Sequence, residues 1–328
     1  MRLINEIAEF LKKNGFEPSR QTRGGAEVLC TSTLDGKKTK IILPIEITAS
    51  SIEASSAMCL DSFNEYPIVI TEDRWRAQQG MTQSRLLAHL EIFSQAYARN
   101  CEVRRIDKAT AQEFLDANHS YGYAACRYRY GLFLKRQTGH LASGFPVKPG
   151  MTVVKPGMTV VKPGMTDHIC HARPDTICHG RPDTICHGRP DRASISPGTL
   201  IAVATFSNAR KWTKGDKEIR SYEWTRYASL PYLRINGGMG KVLKAFIEDV
   251  RPDDIMSYAD LEWSEGDVYK SLGFENEGTK APVLFSIDTA TWTRTPLKPG
   301  MTETEFEGKL FFQNFGSNKY RLKLTDYE

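Results

Sequence analysis

The chain has no long hydrophobic run. No apolar stretch approaches the ~20 residues that a membrane-spanning helix needs. The opening, MRLINEIAEFLKKNGF, lacks the unbroken apolar core of a secretory signal. Cysteine is sparse outside one repeat: Cys30, Cys59, Cys101 and Cys126 are scattered and form no Cys-x-x-Cys knuckle. These absences argue against a membrane protein and against a fold stapled by disulfides. They lead to the expectation of a cytoplasmic protein with reduced thiols.

What is present is ordinary globular material. Of 328 residues, 40% are hydrophobic and 25% charged, enough for two domains with their own cores. The net charge of +5 and a pI near 8.7 permit DNA as a partner without demanding it. The oligomeric state is left open.

The periodicities divide the chain into an α/β unit over residues 1–98 and a second unit over 99–328. In the first, helices are expected over 3–13, 52–63 and 82–98, and strands over 27–31, 40–48 and 67–71. In the second, helices are expected over 109–118, 241–250 and 266–272. Strands are expected over 127–135, 200–207, 221–227 and 255–258, with 283–287 as the last. The fold class is therefore mixed α/β (α+β).

A low-complexity insert at 144–198 interrupts the second unit. VKPGMT begins at Val147, Val154 and Val161, and an eight-residue Cys-His repeat begins at Asp167, Asp175 and Asp183. Proline and glycine in every copy oppose helix and sheet. The flanking strands are expected to form a hairpin, where an insertion costs little because loop-closure entropy grows slowly with length. Thiolates and imidazoles are zinc-ligand types, but these spacings do not match a structural zinc site, so no metal is expected.

Several residues carry chemistry. Gly237, Gly238 and Gly240 lead straight into the helix that contains Lys241. Glycines at a helix start leave N–H groups open, and the helix dipole favours an anion there. Asp260 ends a strand, where α/β sheets place ligand-facing residues. Glu223 lies on a strand before the glycine turn, and His119 follows a helix; each is a candidate acid/base group. Tyr269 sits on a short helix beyond Asp260. Between Arg99 and Arg136 basic residues outnumber acids eight to four. In Arg127-Tyr128-Arg129-Tyr130 a strand would put both arginines on one face, for DNA phosphates, and both tyrosines on the other. The alternative there is tyrosines in the core and arginines in water. Pro44–Thr48 has the glutamate of a nuclease Glu-x-Lys pair, Glu46, with Thr48 in place of the lysine; Asp35 precedes it in a turn.

Taken in order, Asn118-His119, Tyr222-Glu223 with Arg226, Gly237-Gly238, Ser257-Tyr258-Ala259-Asp260 and Tyr269 with Leu272-Gly273-Phe274 resemble a known family. The likeness is to the GNAT-like carboxy-terminal domain of phage homing-endonuclease-like proteins, related to GNAT acyltransferases and to Mom-type DNA modification proteins. It covers residues 99–140 and 199–328. The first unit is more faintly similar to the short nuclease-like domain that precedes it, through Ile68–Trp75. The resemblance implies a GNAT-like mixed sheet with flanking helices and an acyl-CoA cofactor. Its diphosphate would lie on Gly237, Gly238, Gly240 and Lys241, although Ile235 stands where the family pattern has a polar residue. It further implies acyl transfer to a DNA base or another amine, with Tyr269 protonating the leaving group and Glu223 or Asp260 as base. A DNA-binding accessory or degenerate homing-endonuclease-like protein without transferase activity is the alternative.

Overall fold

A computed structural model describes residues 2–48, 60, 63, 65–135, 195–297 and 310–327. Apart from Leu60 and Phe63, the expected helix over 52–63 lies outside the described residues, as do the Cys-His repeats. The fold is mixed α/β, and no described helix is long and apolar enough to cross a membrane.

The first sheet runs in the order β1 (Ser19–Arg23), β2 (Ala26–Ser32), β3 (Thr39–Ile45), β4 (Ile68–Thr71), antiparallel except for the parallel β3–β4 pair. Helix α1 (Leu3–Lys13) lies on it because Leu3, Ile7 and Leu11 recur every four residues and form one apolar face. Two helices follow β4, α2 (Glu72–Ala77) and α3 (Gln79–His89). The helix expected over 82–98 therefore ends early. Glu91 takes a left-handed φ of 70°, and the chain leaves as strand β5 (Ser94–Tyr97). Tertiary pairing overrides local propensity here: β5 runs parallel to β11 (Leu233–Asn236), with Ser94 opposite Leu233 and Tyr97 opposite Asn236.

The larger sheet has the order β13 (Glu275–Lys280), β17 (Ser317–Lys323), β12 (Asp254–Asp260), β10 (Lys217–Ser229), β8 (Leu200–Phe206), β7 (Tyr128–Leu134), β6 (Cys101–Arg105), with β9 (Arg210–Lys214) paired to β10. Every neighbouring pair is antiparallel except β10–β12. Helix α4 (Lys108–Asn118) packs Phe114 and Leu115 on one face, and α5 (Gly238–Val250) packs Val242 and Phe246 on the other. Strand β8 is consequently buried at all seven positions. Phe246 stacks on Phe206 at 3.8 Å between ring centres.

The strand expected to be last, 283–287, is not. β14 (Leu284–Ile287), β15 (Arg294–Pro296) and β16 (Leu310–Gln313) form a small separate sheet. Phe285, Ile287 and Phe312 pack with Val28, Ile41, Leu43 and Val69 of the first sheet. The chain then returns as β17, threaded between β12 and β13. Its alternation was hidden because charged residues fill its half-buried face, while Tyr320 alone is fully buried.

The strands flanking the insert are hydrogen-bonded neighbours: the Leu134 N–H donates to the Thr199 carbonyl and the Gly198 N–H to the Leu134 carbonyl. Ile195, inside the repeat-insert bounds, is 7% exposed and joins the main core. Replacing residues 147–193 by a short Gly-Ser turn should leave the melting temperature within a few degrees. Ile195→Ala in the same background should cost about 2–5 kcal/mol in denaturant unfolding, the usual price of a buried isoleucine. The repeats would have to be reclassified as structural if their removal destabilised the protein as much as Ile195→Ala does.

Candidate active site

Strands β10 and β12 pair in parallel over only three residue pairs, Ser221–Asp254, Tyr222–Ile255 and Glu223–Met256. Beyond Glu223, β10 follows β8 through a bulge between Trp224 and Arg226, and β12 follows β17 as far as Asp260. The two strands thus part and open a cavity of about 590 Å³. Its lining brings together the four candidate catalytic residues His119, Glu223, Asp260 and Tyr269, with Tyr121 and Arg226.

Tyr269 lies on α6 (Asp267–Ser271), which starts at Gly266. There φ is 93°, and a Cβ would stand 2.5 Å from the Tyr320 ring, so glycine is required. The Tyr269 ring stacks on Tyr320 at 5.3 Å and meets Trp224 edge-on. Ser257 Oγ is 2.8 Å from the Tyr269 hydroxyl and 3.0 Å from the Trp224 carbonyl. Burial raises the Tyr269 pKa, so the phenol keeps its proton.

Asp260 accepts hydrogen bonds from the Tyr121 hydroxyl at 2.7 Å and the Glu262 N–H at 2.9 Å. Burial, followed by the neighbouring Glu262 charge, raises its pKa. The Glu223 side chain is half-buried and has no hydrogen-bond partner among the described residues. His119 Nδ1 accepts from the Tyr121 N–H at 3.1 Å, so the neutral ring carries its hydrogen on Nε2. Burial, then Arg226 and Arg74, push its pKa down to about 3, so it stays neutral. Arg226 Nε donates to the Gly122 carbonyl at 3.1 Å, which ties the bulged strand to the loop after α4.

A second cavity, of about 540 Å³, adjoins the first. The two share Met81, Asn118, Tyr227, Met239 and Val268. It contains the glycine turn. Gly237, the residue before α5, has φ 75°, and no side chain caps the helix. A Cβ on Gly238 would stand 2.7 Å from the Tyr227 hydroxyl, and one on Gly240 3.2 Å from Leu272. Protein packing thus keeps Gly238 and Gly240 small, and the uncapped helix start that lines this cavity has the N–H groups an anion would need. Lys241 does not line this cavity; its ammonium donates to the Ala98 and Cys101 carbonyls at 2.7 and 2.6 Å.

Arg127 and Arg129 line neither cavity. Arg127 is exposed just before β7, and Arg129 folds back to donate to the Cys126 carbonyl at 2.8 Å. Tyr130 is buried and donates to Asp249, and Tyr128 packs against Phe246. Tyr130 is thus a core residue and Tyr128 is half-buried against the same core. In the first unit, Glu46 accepts from the Leu3 N–H and pairs with Arg2, while Asp35 caps its own turn at the other end of β3. Among the described residues no three His, Cys, Asp or Glu side chains are grouped to hold a metal.

Behind the Asp260 end of β12 lies a buried charge cluster that sequence reasoning missed. Glu262 pairs with Arg74 at 3.1 Å and Arg294 at 2.7 Å, and Arg294 also pairs with Asp73 and donates to the Thr71 hydroxyl. Arg85 donates to the Glu262 and Trp263 carbonyls and lies 4.0 Å above the Trp263 ring. Burial alone would raise the Glu262 pKa, but Arg294 and Arg74 hold it below the ordinary value. No sequence signal marks this cluster, because its members come from three distant segments.

No protein-family model matches the chain, and no curated protein is similar to it in sequence.

Arg294→Leu should leave Asp73 buried without its cation and Glu262 with only one, costing about 3–5 kcal/mol. Denaturant unfolding measures this, and a loss below about 1 kcal/mol would show that the cluster is slack.

Proposed function

We propose that the chain is an acyltransferase of the GNAT kind, acting on an amine such as the exocyclic amine of a DNA base. The observation that carries this reading is the parting of the parallel strands β10 and β12 beside an uncapped, glycine-rich helix start. That arrangement offers a groove for an extended thioester, with an anion site at one end and acid/base groups at the other. Acyl-CoA would supply an activated acyl carbon and a thiolate leaving group. The N–H groups of Gly238, Met239 and Gly240 would hold its diphosphate. Glu223 takes a proton from the acceptor amine, and Tyr269 gives one to the departing sulfur. Asp260, held by Tyr121, and the neutral His119 N–H orient the acceptor. The aromatic rings of Tyr258 and Trp263 in the same cleft suit a flat base.

The reading is tested first by binding. Acetyl-CoA at millimolar concentration should raise the melting temperature, and Gly240→Val should abolish that rise without unfolding the free protein. Absence of any rise for the parent protein removes the acyl-CoA assignment.

Chemistry is tested at Tyr269. Tyr269→Phe keeps the ring that stacks on Tyr320 but removes the proton donor. Turnover with an amine acceptor should fall at least about tenfold while ligand binding persists. Unchanged turnover with a lowered melting temperature would make Tyr269 a packing residue.

A further inference from the structure

The cavity beside the glycine turn is only partly built by the larger sheet. Helix α3, from the amino-terminal unit, supplies Met81, Ser84, Arg85, Ala88 and His89 to its wall. Met81 lies where this cavity meets the catalytic cleft, since it lines both. Ser84, one helical turn further on, is 5% exposed, and its hydroxyl oxygen has no hydrogen-bond partner among the described residues. A buried hydroxyl without a partner is costly and uncommon in a folded protein. A bound amide would satisfy it.

The residues shared by the two cavities carry no charge. The charged groups lie to either side: Arg85 and Arg234 in the glycine-turn cavity, Glu223, Arg226 and Asp260 in the cleft. A ligand that spans both must therefore be anionic at the helix start and neutral where it passes Met81, Tyr227, Met239 and Val268. Methionine suits such a passage, because its flexible thioether moulds to an unbranched chain.

We propose that the amino-terminal unit completes the donor site, with Ser84 bonding an amide of the ligand's neutral arm and Met81 packing against that arm. This rests on the acyl-CoA reading and gives the first unit a role in ligand binding. The charge cluster is what positions α3. Arg85, on α3, donates to the Glu262 and Trp263 carbonyls, and Arg74 and Gln78, from α2 and its end, donate to the Ser120 carbonyl. The helix is thus tied to both edges of the cleft.

Calorimetric titration of the full chain separates the arm from the head, using coenzyme A and adenosine diphosphate, which has the diphosphate but no arm. Ser84→Ala should weaken coenzyme A about fivefold, the ordinary loss for one hydrogen bond, and leave adenosine diphosphate unchanged. The melting temperature of the free variant should stay level or rise, because an unsatisfied hydroxyl has gone. Met81→Ala should likewise weaken coenzyme A alone, by about tenfold. Unchanged coenzyme A affinity in both variants overturns the clamp while leaving the acyl-CoA reading intact. If the parent protein binds neither ligand, the reading fails and the clamp with it. If Ser84→Ala lowers the melting temperature of the free protein and weakens both ligands equally, Ser84 is structural and the proposal is wrong.

Discussion

The pairing of Glu262 with Arg74 and Arg294 governs the geometry around the cleft. Its carboxylate is nearly fully buried, and a charge removed from water survives only when opposite charges and hydrogen bonds replace the lost solvation. That requirement fixes three segments at once: the start of α2, the turn after β12, and β15. The Glu262 N–H is simultaneously a donor to Asp260. The same residue that anchors the amino-terminal unit therefore sets the position of a carboxylate in the cleft. The two units are joined by an interaction that tolerates little relative movement, because separating them would strand charges in an apolar interior.

The opening of the cleft is likewise a consequence of backbone hydrogen bonding. Past Glu223 the β10 carbonyls no longer face a parallel neighbour. The Trp224 carbonyl is met instead by the Ser257 hydroxyl, a side chain standing in for a ladder N–H. The bulge at Trp224 and Arg226 turns successive side chains out of simple alternation, so Trp224, Thr225 and Arg226 all reach the cleft lining although Trp224 is otherwise buried. A β-bulge that aims side chains beside a cleft is a recurrent device. Ser257 links this backbone feature to Tyr269, so the parting of the strands and the placement of the phenol share one hydroxyl.

Much of the fold was legible in the sequence because its strongest periodic segments also form its cores. Helix α1 has the bounds that its four-residue apolar spacing implies. Strands β7, β8, β10 and β12 of the larger sheet fall within a few residues of expectation, whereas β6, β9, β13 and β17 had no expected counterpart, and the four separated catalytic candidates line one cavity. Other features were not legible, for definite reasons. Residues 94–97 pair with a strand well over a hundred positions away, which no local pattern encodes. Lys241 belonged to the glycine turn by position, but the Ala98 and Cys101 carbonyls hold its ammonium. The wall contributed by α3 has no sequence signature, since Met81 and Ser84 are commonplace on any helix.

The two carboxylates of the cleft are not equivalent, and the difference assigns their roles in the acyl-transfer reading. Both Asp260 oxygens are occupied, one by the Glu262 N–H and the other by the Tyr121 hydroxyl, and its burial favours the protonated form. Those two bonds fill about half of its lone-pair sites and fix its orientation in the cleft. The Glu223 carboxylate has no such partners among the described residues and stands at the point where the strands part. In the acyl-transfer reading Glu223 is therefore proposed as the base, while Asp260 accepts from Tyr121 and so ties the loop after α4 to the cleft.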